Sequence, residues 1–340
     1  MRSGVFVRPG RVEWREMPDP TLQGAAEALV RPIVLGRCDL DVGYLRGILP
    51  LASGSSIGHE IIGEVVDLGE TVRQFHVGQY VFVSAQISCG ACVNCQRGRT
   101  GRCLSVPFAA SYGMGREGNY GGGMSDLLRV PFARAMLSPV PAGVDPRSLI
   151  GAADRAADAW RAVAPHLESH PGAHVLVLGG SPAVIGLYAV GLATALGATV
   201  VHYVDDDETR RSVAVEYGAN LLVEEDPNAR YDVIIVANTS RASLERAFRM
   251  VAPGGVITSV APALGGAVMV DAPKLYHTGV TWTIGRPDCR HAHNGTLFAW
   301  ANCGFRADRI PTLHVDWDDA PEAWANEALS VVAVRGNNGL

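Results

Sequence analysis

Four cysteines within fifteen residues constrain this chain more than any other feature of its sequence. They are Cys89, Cys92, Cys95 and Cys103, in the spacing C-x2-C-x2-C-x7-C. The glycine, asparagine and arginine residues between them favour short turns, which let four thiolates converge on one tetrahedral ion. We therefore predict a closed structural zinc site in a lobe spanning residues 89–103.

Two other chemistries could use the same cysteines. Disulfides would suit an oxidising compartment, but Cys89, Cys92 and Cys95 are too close in sequence to pair comfortably, and the N-terminus lacks the apolar segment of a secretory signal. An iron–sulfur cluster also takes four thiolates, although ferredoxin motifs have other spacings and usually a proline after the last cysteine. Zinc is favoured over both, and a reducing cytoplasm is the expected compartment.

Composition indicates a globular protein with room for two domains. The chain has 340 residues, of which 48% are hydrophobic and 19% charged. Its net charge of -5, without any basic block, argues against nucleic acid as a partner. Residues 175–201 carry no charge and are long enough to cross a bilayer, but Gly179-Gly180-Ser181-Pro182 interrupts them, so we predict no membrane span.

The pattern of apolar residues and turn-forming residues changes near residue 145. Before it, short apolar runs bounded by glycine and proline are typical of an antiparallel barrel or sandwich. After it, apolar strands alternate with amphipathic helices, which predicts a doubly wound parallel sheet in an α/β fold. We expect a β-rich domain at residues 1–147, an α/β domain at 148–285, and a return of the chain to the first domain at 286–340.

A strand running into a glycine-rich turn and a helix begins the α/β domain. Gly179, Gly180 and Gly186 follow the strand Val175-Leu-Val-Leu178, with Ser181 where the second glycine of a G-x-G-x-x-G motif would stand. Such a turn presents backbone N–H groups and the helix N-terminus to a pyrophosphate. An ordinary glycine turn of an α/β protein is the alternative.

Asp205, at the end of the next predicted strand, strengthens the cofactor interpretation. Its carboxylate is placed to accept from a ribose 2'-hydroxyl, and Asp206 and Asp207 beside it should repel a 2'-phosphate, so NAD(H) is favoured over NADP(H). Arg210 could lie against the adenosine side. The residues we assign to the cofactor are Gly179, Gly180, Ser181, Ala183, Val184, Ile185, Gly186, Asp205, Arg210, Ala237 and Val260.

A cysteine and a histidine suggest a second metal site. Cys38 ends an apolar strand, and His59 lies in Gly58-His59-Glu60. Thiolate and imidazole are donors that zinc prefers, and a catalytic zinc needs three protein ligands and one open position. Taken alone the pair is weak, because lone cysteines and histidines more often lie in cores or on surfaces.

These elements in this order resemble the zinc-dependent alcohol dehydrogenases of the medium-chain dehydrogenase/reductase superfamily. The resemblance rests on Cys38, Gly58-His59-Glu60, the four-cysteine lobe, the strand–glycine–helix unit and Asp205, and it covers nearly the whole chain. It implies a GroES-like catalytic domain formed by the N-terminal part and the C-terminal tail, a Rossmann domain between them, and an active site in the cleft. It also implies a small-molecule substrate and a homo-oligomer, a dimer or tetramer built through the Rossmann sheet edge.

The resemblance further implies two zinc ions per chain. It places a catalytic zinc on Cys38 and His59, with Glu60 coordinating or lying just behind, and it makes Asp154 the candidate third ligand. The alternative for Asp154 is a solvated helix residue that is paired with Arg155 or caps the turn near Asp158. The four-cysteine lobe matches the structural zinc lobe of the family without a gap.

The chain departs from the family pattern where protons are relayed. Leu40 and Gly43 occupy the places of a Ser or Thr and a His that together carry the alcohol proton to solvent, and neither side chain can move a proton. Tyr44, Glu60 or Asp39 could substitute, and Leu40 would shape the pocket. Otherwise the substrate is an unusual carbonyl, an imine or a conjugated alkene that does not need the relay.

Two readings compete with a zinc- and NAD-dependent oxidoreductase. One is a non-catalytic zinc- and nucleotide-binding protein of the same fold, and the other is a non-redox, lyase-like relative. The remaining metal-binding side chains of the tail have no convincing ligand spacing, and core or surface roles are expected for His277, Cys289, His291, His293 and Cys303.

Overall fold

A computed structural model describes residues 1–222, 226 and 228–336 of the chain. The chain divides into two compact units. Of the described residues, the first unit comprises 1–157, 288–293 and 311–336, and the second comprises 158–222, 226, 228–287 and 294–310. Among the described residues, no helix is both long enough and apolar enough to cross a membrane.

Strands dominate the first unit, and strands alternate with helices in the second. The elements are β1 (Arg2–Arg8), β2 (Arg11–Glu16), β3 (Ala28–Gly36), α1 (Asp39–Leu45), β4 (Glu60–Leu68), β5 (Tyr80–Val83), α2 (Val93–Gln96), β6 (Leu128–Val130), α3 (Ala133–Met136), β7 (Leu137–Pro139), α4 (Arg155–Ser169), β8 (His174–Leu178), α5 (Ala183–Ala195), β9 (Val200–Val204), α6 (Glu208–Glu216), β10 (Asn220–Leu221), β11 (Tyr231–Val236), α7 (Arg241–Met250), β12 (Val251–Ser259), α8 (Ala272–Thr278), β13 (Thr281–Ile284), α9 (Cys289–Asn302), β14 (Thr312–Asp316), α10 (Ala320–Trp324) and β15 (Ser330–Val334). Short 3-10 turns lie at Thr100–Arg102, Pro146–Leu149, Ala307–Arg309 and Trp317–Asp319.

The sheet of the first unit is mostly antiparallel. Its strand order is β14-β15-β3-β4-β5-β7, with β6 also paired to β3 and with β1 and β2 forming a separate hairpin. Only β14 and β15 run parallel among these pairs. The inward-facing residues of β3, β4 and β5 are almost fully buried in one apolar core, to which Trp317 and Trp324 of the returning tail also contribute. This core fixes the strand ends that carry the metal-binding candidates.

The second unit is a parallel, doubly wound sheet. Its strand order is β10-β9-β8-β11-β12-β13, which in chain order within the unit reads 3-2-1-4-5-6. The direction of winding reverses between β8 and β11, and ligands of such sheets bind where the strand order reverses, beyond the carboxyl ends of the strands. The uncharged stretch that could have been a membrane span is β8 followed by α5, a helix with ten buried residues.

One β-rich unit and one α/β unit confirm the predicted fold class. The residues at which these units begin and end differ from the predicted domain boundaries. Residues 148–157 belong to the first unit, and residues 294–310 belong to the second rather than returning to the first. The reason is packing: Gly295 lies directly against the ring of Trp160, and Phe305 stacks on Tyr217 with ring centroids 6.4 Å apart. The sequence of the tail shows no change in composition that would indicate where the chain passes from one unit to the other.

Candidate metal centres and dinucleotide site

The first unit brings Cys38, His59 and Asp154 together at one point. Cys38 follows β3 and precedes α1, His59 precedes β4, and Asp154 immediately precedes α4. One ligand atom of each lies within 4.8 Å of the other two, and all three residues are buried. His59 is held at the start of β4 by Gly58, whose φ of +87° is accessible mainly to glycine. Three chain segments far apart in sequence thus present a thiol, an imidazole and a carboxylate to one space.

The dimensions of this cluster fit a tetrahedral zinc ion. His59 Nε2 lies 3.5 Å from Asp154 Oδ2, and neither ring nitrogen of His59 makes a hydrogen bond with the described residues. Zinc bonds to nitrogen and oxygen of about 2.0–2.1 Å, at tetrahedral angles, separate two ligand atoms by about 3.4 Å. A fully buried imidazole without hydrogen bonds is otherwise costly, so the donor set and its spacing both favour a metal ion.

The charges around the cluster favour a cation. Burial alone would lower the pKa of His59, but the carboxylates of Asp41 and Asp154 outweigh it and raise that pKa to about 9. Burial also opposes ionisation of Asp154, yet the neighbouring His59 ring lowers its pKa to about 2. Burial, with the negative charge of Asp154, raises the pKa of the Cys38 thiol well above its usual value. Zinc ligation requires the deprotonated thiol and neutral ring, so metal binding here releases protons.

Glu60 does not join this cluster. Arg155 Nε donates to Glu60 Oε2 at 2.5 Å, the Arg155 backbone N–H donates to Oε1 at 3.2 Å, and both side chains are fully buried. A Cβ atom on Gly36 would lie only 2.3 Å from Glu60 Oε2, so glycine on the adjacent strand makes room for the pair. Arg155, the alternative partner predicted for Asp154, instead neutralises Glu60 next to the candidate metal ligands.

Asp41 is a close neighbour of the candidate metal ligands that the sequence reasoning missed. Its Oδ1 lies 3.6 Å from His59 Nδ1, and its Oδ2 accepts from the Cys38 backbone N–H at 3.1 Å. A carboxylate on the far nitrogen of a metal-binding histidine orients the ring and raises its basicity. The available signal was the three-residue spacing from Cys38, which is the capping spacing of a helix start and places Asp41 back over residue 38.

The four cysteines of the lobe also converge. Cys89, Cys92, Cys95 and Cys103 offer sulfur atoms that all lie within 4.8 Å of one another, and Cys92 Sγ is 3.9 Å from Cys103 Sγ. Tetrahedral zinc with Zn–S bonds of about 2.3 Å separates two sulfurs by about 3.8 Å. No disulfide joins any of the seven cysteines of the chain. The cluster therefore has the composition and size of a closed structural site.

Backbone N–H groups surround the lobe sulfurs. Cys89 Sγ accepts from the N–H of Ala91 and of Cys92, and Cys92 Sγ accepts from the N–H of Leu104 at 3.4 Å. The hydrogen bonds from the backbone lower the pKa of Cys92 to about 6, whereas burial raises that of Cys95 to about 12. Donors directed at sulfur stabilise thiolates, which is the form that binds zinc.

The two positions at which the sequence departs from the expected proton relay are packed. Leu40 is half-buried in α1 and contacts the apolar core of the first unit. Gly43 is buried, and a Cβ atom there would lie 2.8 Å from Leu49 Cδ1. The side chain of Leu49 thus occupies the space that a residue at position 43 would use. Of the substitutes considered, Tyr44 is buried, Asp39 is half-buried and Glu60 is bound to Arg155.

In the second unit, the glycine-rich turn lies at the carboxyl end of β8. A Cβ atom on Gly179 would lie 2.4 Å from the Tyr203 hydroxyl, and one on Gly186 would lie 2.9 Å from Ala237 Cβ. Gly180 has a φ of +139° and contacts Asn238. Each glycine therefore has a packing or conformational reason despite the irregular spacing. Ser181 and Pro182 form a cis peptide bond that leads into α5, whose first residues are Ala183, Val184 and Ile185.

Asp205 follows β9, and both of its carboxylate oxygens accept hydrogen bonds. Its Oδ2 accepts from the Tyr203 hydroxyl at 2.6 Å and from Arg210 Nε at 2.8 Å, while Oδ1 accepts from Arg210 Nη2 at 2.6 Å and from the Asp207 N–H at 3.0 Å. Burial opposes ionisation, but the bonds from Arg210 and Tyr203 lower the pKa of Asp205. The residue is ionised and is paired with Arg210, whose predicted place against the adenosine side of the cofactor stays a prediction.

Ala237 and Val260 lie just beyond the ends of β11 and β12. The Ala237 N–H donates to Leu178 O at 2.8 Å, and the Val260 N–H donates to Val236 O at 3.2 Å. Asn238, which the sequence reasoning did not single out, donates through Nδ2 to Leu178 O and Gly179 O at 3.1 and 2.9 Å. It ties the glycine turn to β11 at the point where the strand order reverses.

The tail residues without a predicted ligand role divide into two groups. His277 and His291 are exposed and Cys303 is half-buried. His293 is buried between Ser138 Oγ and Ala153 O, and Cys289 is buried with its thiol 3.1 Å from Asp154 Oδ1. Cys289 therefore contacts a candidate metal ligand, which no local spacing in the sequence could indicate.

The chain is similar to known dehydrogenases. Residues 24–142 match the alcohol dehydrogenase GroES-like domain. A probable zinc-binding alcohol dehydrogenase of Mycobacterium tuberculosis is 30% identical over 277 residues, 76% of this chain and 68% of that protein. An alcohol dehydrogenase of Cupriavidus necator is 30% identical over 283 residues, 76% of each chain.

Solved structures agree with these sequence relatives. The alcohol dehydrogenase TADH from Thermus sp. ATN1 superimposes with a TM-score of 0.86 at 28% identity, covering 99% of this chain and 100% of that one. The β-rich unit is accordingly a GroES-like domain and the parallel sheet a Rossmann domain. On this evidence the chain belongs to the zinc-dependent alcohol dehydrogenase family of the medium-chain dehydrogenase/reductase superfamily, and it is an oxidoreductase.

Proposed function

We propose that this enzyme transfers a hydride between NAD(H) and an alcohol or carbonyl substrate at a zinc ion held by Cys38, His59 and Asp154. The observation that carries the proposal is the buried trio itself, with donor atoms within 4.8 Å of one another and with no hydrogen bond from any described residue to either ring nitrogen of His59. Three protein ligands leave one position of a tetrahedral ion open for substrate, whereas a purely structural site closes all four. A second zinc would be held by the four cysteines of the lobe.

Each residue has a defined task in this proposal. When bound, the zinc supplies a Lewis acid and the nicotinamide supplies or accepts a hydride. Asp41 holds the His59 ring so that Nε2 faces the ligand space. Arg155 neutralises Glu60, so that the buried carboxylate behind the trio neither competes for the ion nor remains unpaired.

The second unit supports a dinucleotide at the turn after β8. The turn brings the N-terminus of α5, a helix of thirteen residues, to the reversal point of the sheet, where a pyrophosphate is stabilised by N–H groups and the helix dipole. Asp205 favours NAD(H) because an ionised carboxylate repels a 2'-phosphate. Its oxygens already accept four hydrogen bonds, so a ribose hydroxyl would have to replace or share the contact with Arg210.

The missing relay bears on the substrate. An alkoxide formed or consumed at the metal needs a proton path, which typically contributes roughly 100-fold or more in rate. Leu40 and Gly43 cannot provide it, and Glu60 is committed to Arg155. Asp39, half-buried beside Leu40, and Tyr44 remain the side chains of α1 that could carry a proton.

A second candidate reaction follows from the same observation. Hydride addition to an iminium carbon forms one C–H bond, moves the C=N π electrons to nitrogen and yields a neutral amine, so it produces no alkoxide. A protonated imine is therefore proposed as the substrate class if simple alcohols react slowly, whereas an unusual carbonyl or a conjugated alkene would still need a proton for the alkoxide or enolate that hydride addition leaves. Leu40 would then serve as an apolar wall of the substrate pocket.

Metal content and cofactor turnover test the proposal together. Two zinc ions per chain, with loss of NADH absorbance at 340 nm when a carbonyl or imine panel is added, are the expected result. A single zinc that is lost on replacing the lobe cysteines would favour a non-catalytic zinc- and nucleotide-binding protein. Product formation without any change in NADH absorbance would favour a non-redox, lyase-like reaction.

Restoring the relay separates the two substrate classes. We expect the combination Leu40→Thr, Gly43→His and Leu49→Ala to accelerate simple alcohol oxidation by roughly 100-fold, because it supplies a hydroxyl, an imidazole and the space for the ring. The matched control is Leu49→Ala alone. Wild-type oxidation of simple alcohols that is already fast, and is not improved by the triple substitution, would remove the case for an unusual substrate.

Self-association through the edge of the parallel sheet is also proposed. All four residues of β13 are exposed, with Trp282 40% and Ile284 50% accessible, and Met269 and Tyr276 nearby in sequence are 83% and 85% accessible. An apolar edge strand is a template for pairing with a second copy. Light scattering should show a dimer or tetramer that Ile284→Lys dissociates; an unchanged mass would exclude this edge.

We place the enzyme in a reducing compartment such as the cytoplasm, since both metal sites need free thiolates.

A further inference from the structure

Residues 288–293 of the tail connect the two candidate metal centres of the first unit. The Asp288 carboxylate accepts from the Gly101 N–H and from Arg102 Nη1, both at 2.7 Å, within the four-cysteine lobe. Five residues later, His293 Nε2 contacts Ala153 O at 2.9 Å, one residue before Asp154. The segment is therefore anchored at both ends, and Cys289 lies between these anchors.

Cys289 is fully buried and fixed in place. Its backbone N–H donates to Gln86 Oε1 at 3.2 Å, and its thiol donates to Asp154 Oδ1 at 3.1 Å. Both contacts join residues that are more than a hundred positions apart in sequence. The thiol thus points toward the carboxylate that we propose as a zinc ligand.

The two oxygens of Asp154 have different partners. Oδ1 faces the Cys289 thiol, whereas Oδ2 faces His59 Nε2 across 3.5 Å, the separation expected of two ligands of one zinc ion. A carboxylate can coordinate zinc through one oxygen or both, and coordination through both would fill the position that a substrate needs. A donor on Oδ1 therefore favours coordination through Oδ2 alone.

We propose that Cys289 is a positioning residue for the catalytic zinc. Its thiol holds Asp154 Oδ1 and so presents Oδ2 to the metal, without itself binding the ion. The inference rests on the proposed function, because it presupposes a zinc on Cys38, His59 and Asp154. Hydrogen-bond partners of metal ligands typically change metal affinity by roughly 10- to 100-fold when they are removed.

Metal affinity tests this role directly. The variants are Cys289→Ala, Cys289→Val, which restores volume without a donor, and Cys289→Ser, which retains a donor. Cys303→Ala is the matched control, because Cys303 is a half-buried cysteine that directly follows the last residue of α9. Each full-length protein is dialysed against a graded zinc chelator, and zinc per chain is counted.

The wild type is expected to hold two zinc ions. We expect the Ala and Val variants to lose one of them at roughly 10- to 100-fold lower chelator concentration, and the Ser and Cys303→Ala variants to match the wild type within roughly 3-fold. A wild type with only the lobe zinc would overturn the proposed function. A wild type with two ions whose affinity is unchanged in both donor-free variants would overturn the role of Cys289 alone.

Cobalt distinguishes positioning from direct ligation and from packing. With cobalt exchanged into the second site, the sulfur-to-metal charge-transfer band should be equally intense in wild type and Cys289→Ser, since Cys38 alone supplies sulfur. Loss of about half the intensity in Cys289→Ser would identify Cys289 as a ligand and refute the proposal. A lowered unfolding temperature in Cys289→Val with unchanged zinc affinity and cobalt spectrum would reduce Cys289 to core packing, and refute it as well.

Discussion

Replacing His293 should remove a defined part of the acid sensitivity of this protein. The ring is buried between the Ser138 hydroxyl and the Ala153 carbonyl, each 2.9 Å away. A carbonyl only accepts, so Nε2 carries the proton and Nδ1 accepts from Ser138. Burial lowers the pKa of His293 to about 4, and the ring is neutral in the folded protein at pH 7.

The magnitude follows from the difference in proton binding. In the unfolded chain a histidine has a pKa of about 6.5, so between about pH 6.5 and pH 4 the unfolded state binds a proton that the folded state excludes. The free energy of unfolding therefore falls as the pH falls through this window. At pH 5 the loss amounts to about 2 kcal/mol relative to pH above 7.5, from about 1.4 kcal/mol per pKa unit.

Urea unfolding at pH 7.5 and pH 5 checks this value. In His293→Gln the amide can still donate to Ala153 O, but the group no longer titrates, so the decrease between the two pH values should shrink by about 2 kcal/mol. His314→Gln, on an exposed position of β14, is the control and should leave the decrease unchanged. An equal decrease in wild type and His293→Gln would refute the assignment of a neutral, buried ring.

Three further substitutions have expected outcomes. Gly179→Ala should weaken NADH binding by at least roughly 10-fold in a fluorescence titration, because its Cβ would lie 2.4 Å from the Tyr203 hydroxyl and overpacking costs about 1–3 kcal/mol. Asp205→Asn should lower the ratio of NADPH to NADH dissociation constants by roughly 10-fold in the same titration, since the repelling charge is removed; an unchanged ratio would exclude Asp205 from the ribose site. Arg155→Met should lower the free energy of unfolding by about 3–5 kcal/mol by leaving Glu60 unpaired in the core, and the additional change Glu60→Gln should recover part of it in urea unfolding. If Arg155→Met alone is as stable as the wild type, Glu60 is not ionised in the folded protein.

Much of the fold was predictable because its signals are periodic and local. The alternation of strands and helices after residue 148, and the turn at Gly179, follow from short stretches of sequence and are confirmed as a Rossmann domain. The limits of the units were less predictable. Residues 294–310 join the second unit through Gly295 against Trp160 and Phe305 against Tyr217, which are pairings between distant positions that no local pattern encodes.

The candidate metal site also has a part that the sequence predicts and a part that only the folded chain reveals. Cys38 and His59 stand in recognisable motifs, but their environment depends on contacts across the fold. Glu60 and Arg155 are 95 residues apart, and Cys289 and Asp154 are 135 apart, yet each pair is in hydrogen-bond contact. Sequence reasoning could suggest which atoms bind zinc, whereas the groups that neutralise or orient those atoms became apparent only from the folded chain.

The replaced proton relay is the point at which packing constrains function most closely. If Gly43 only lacked the histidine side chain, the space beside it would be open. Instead Leu49 fills this space, and a Cβ atom at position 43 would lie 2.8 Å from the Leu49 side chain. Leu40 likewise packs on the apolar core. Restoring proton transfer therefore requires repacking as well as new functional groups, so a single substitution at position 40 or 43 should recover little. Under the proposed function, Leu40 and Gly43 are expected to favour a substrate whose reduction leaves no alkoxide to protonate.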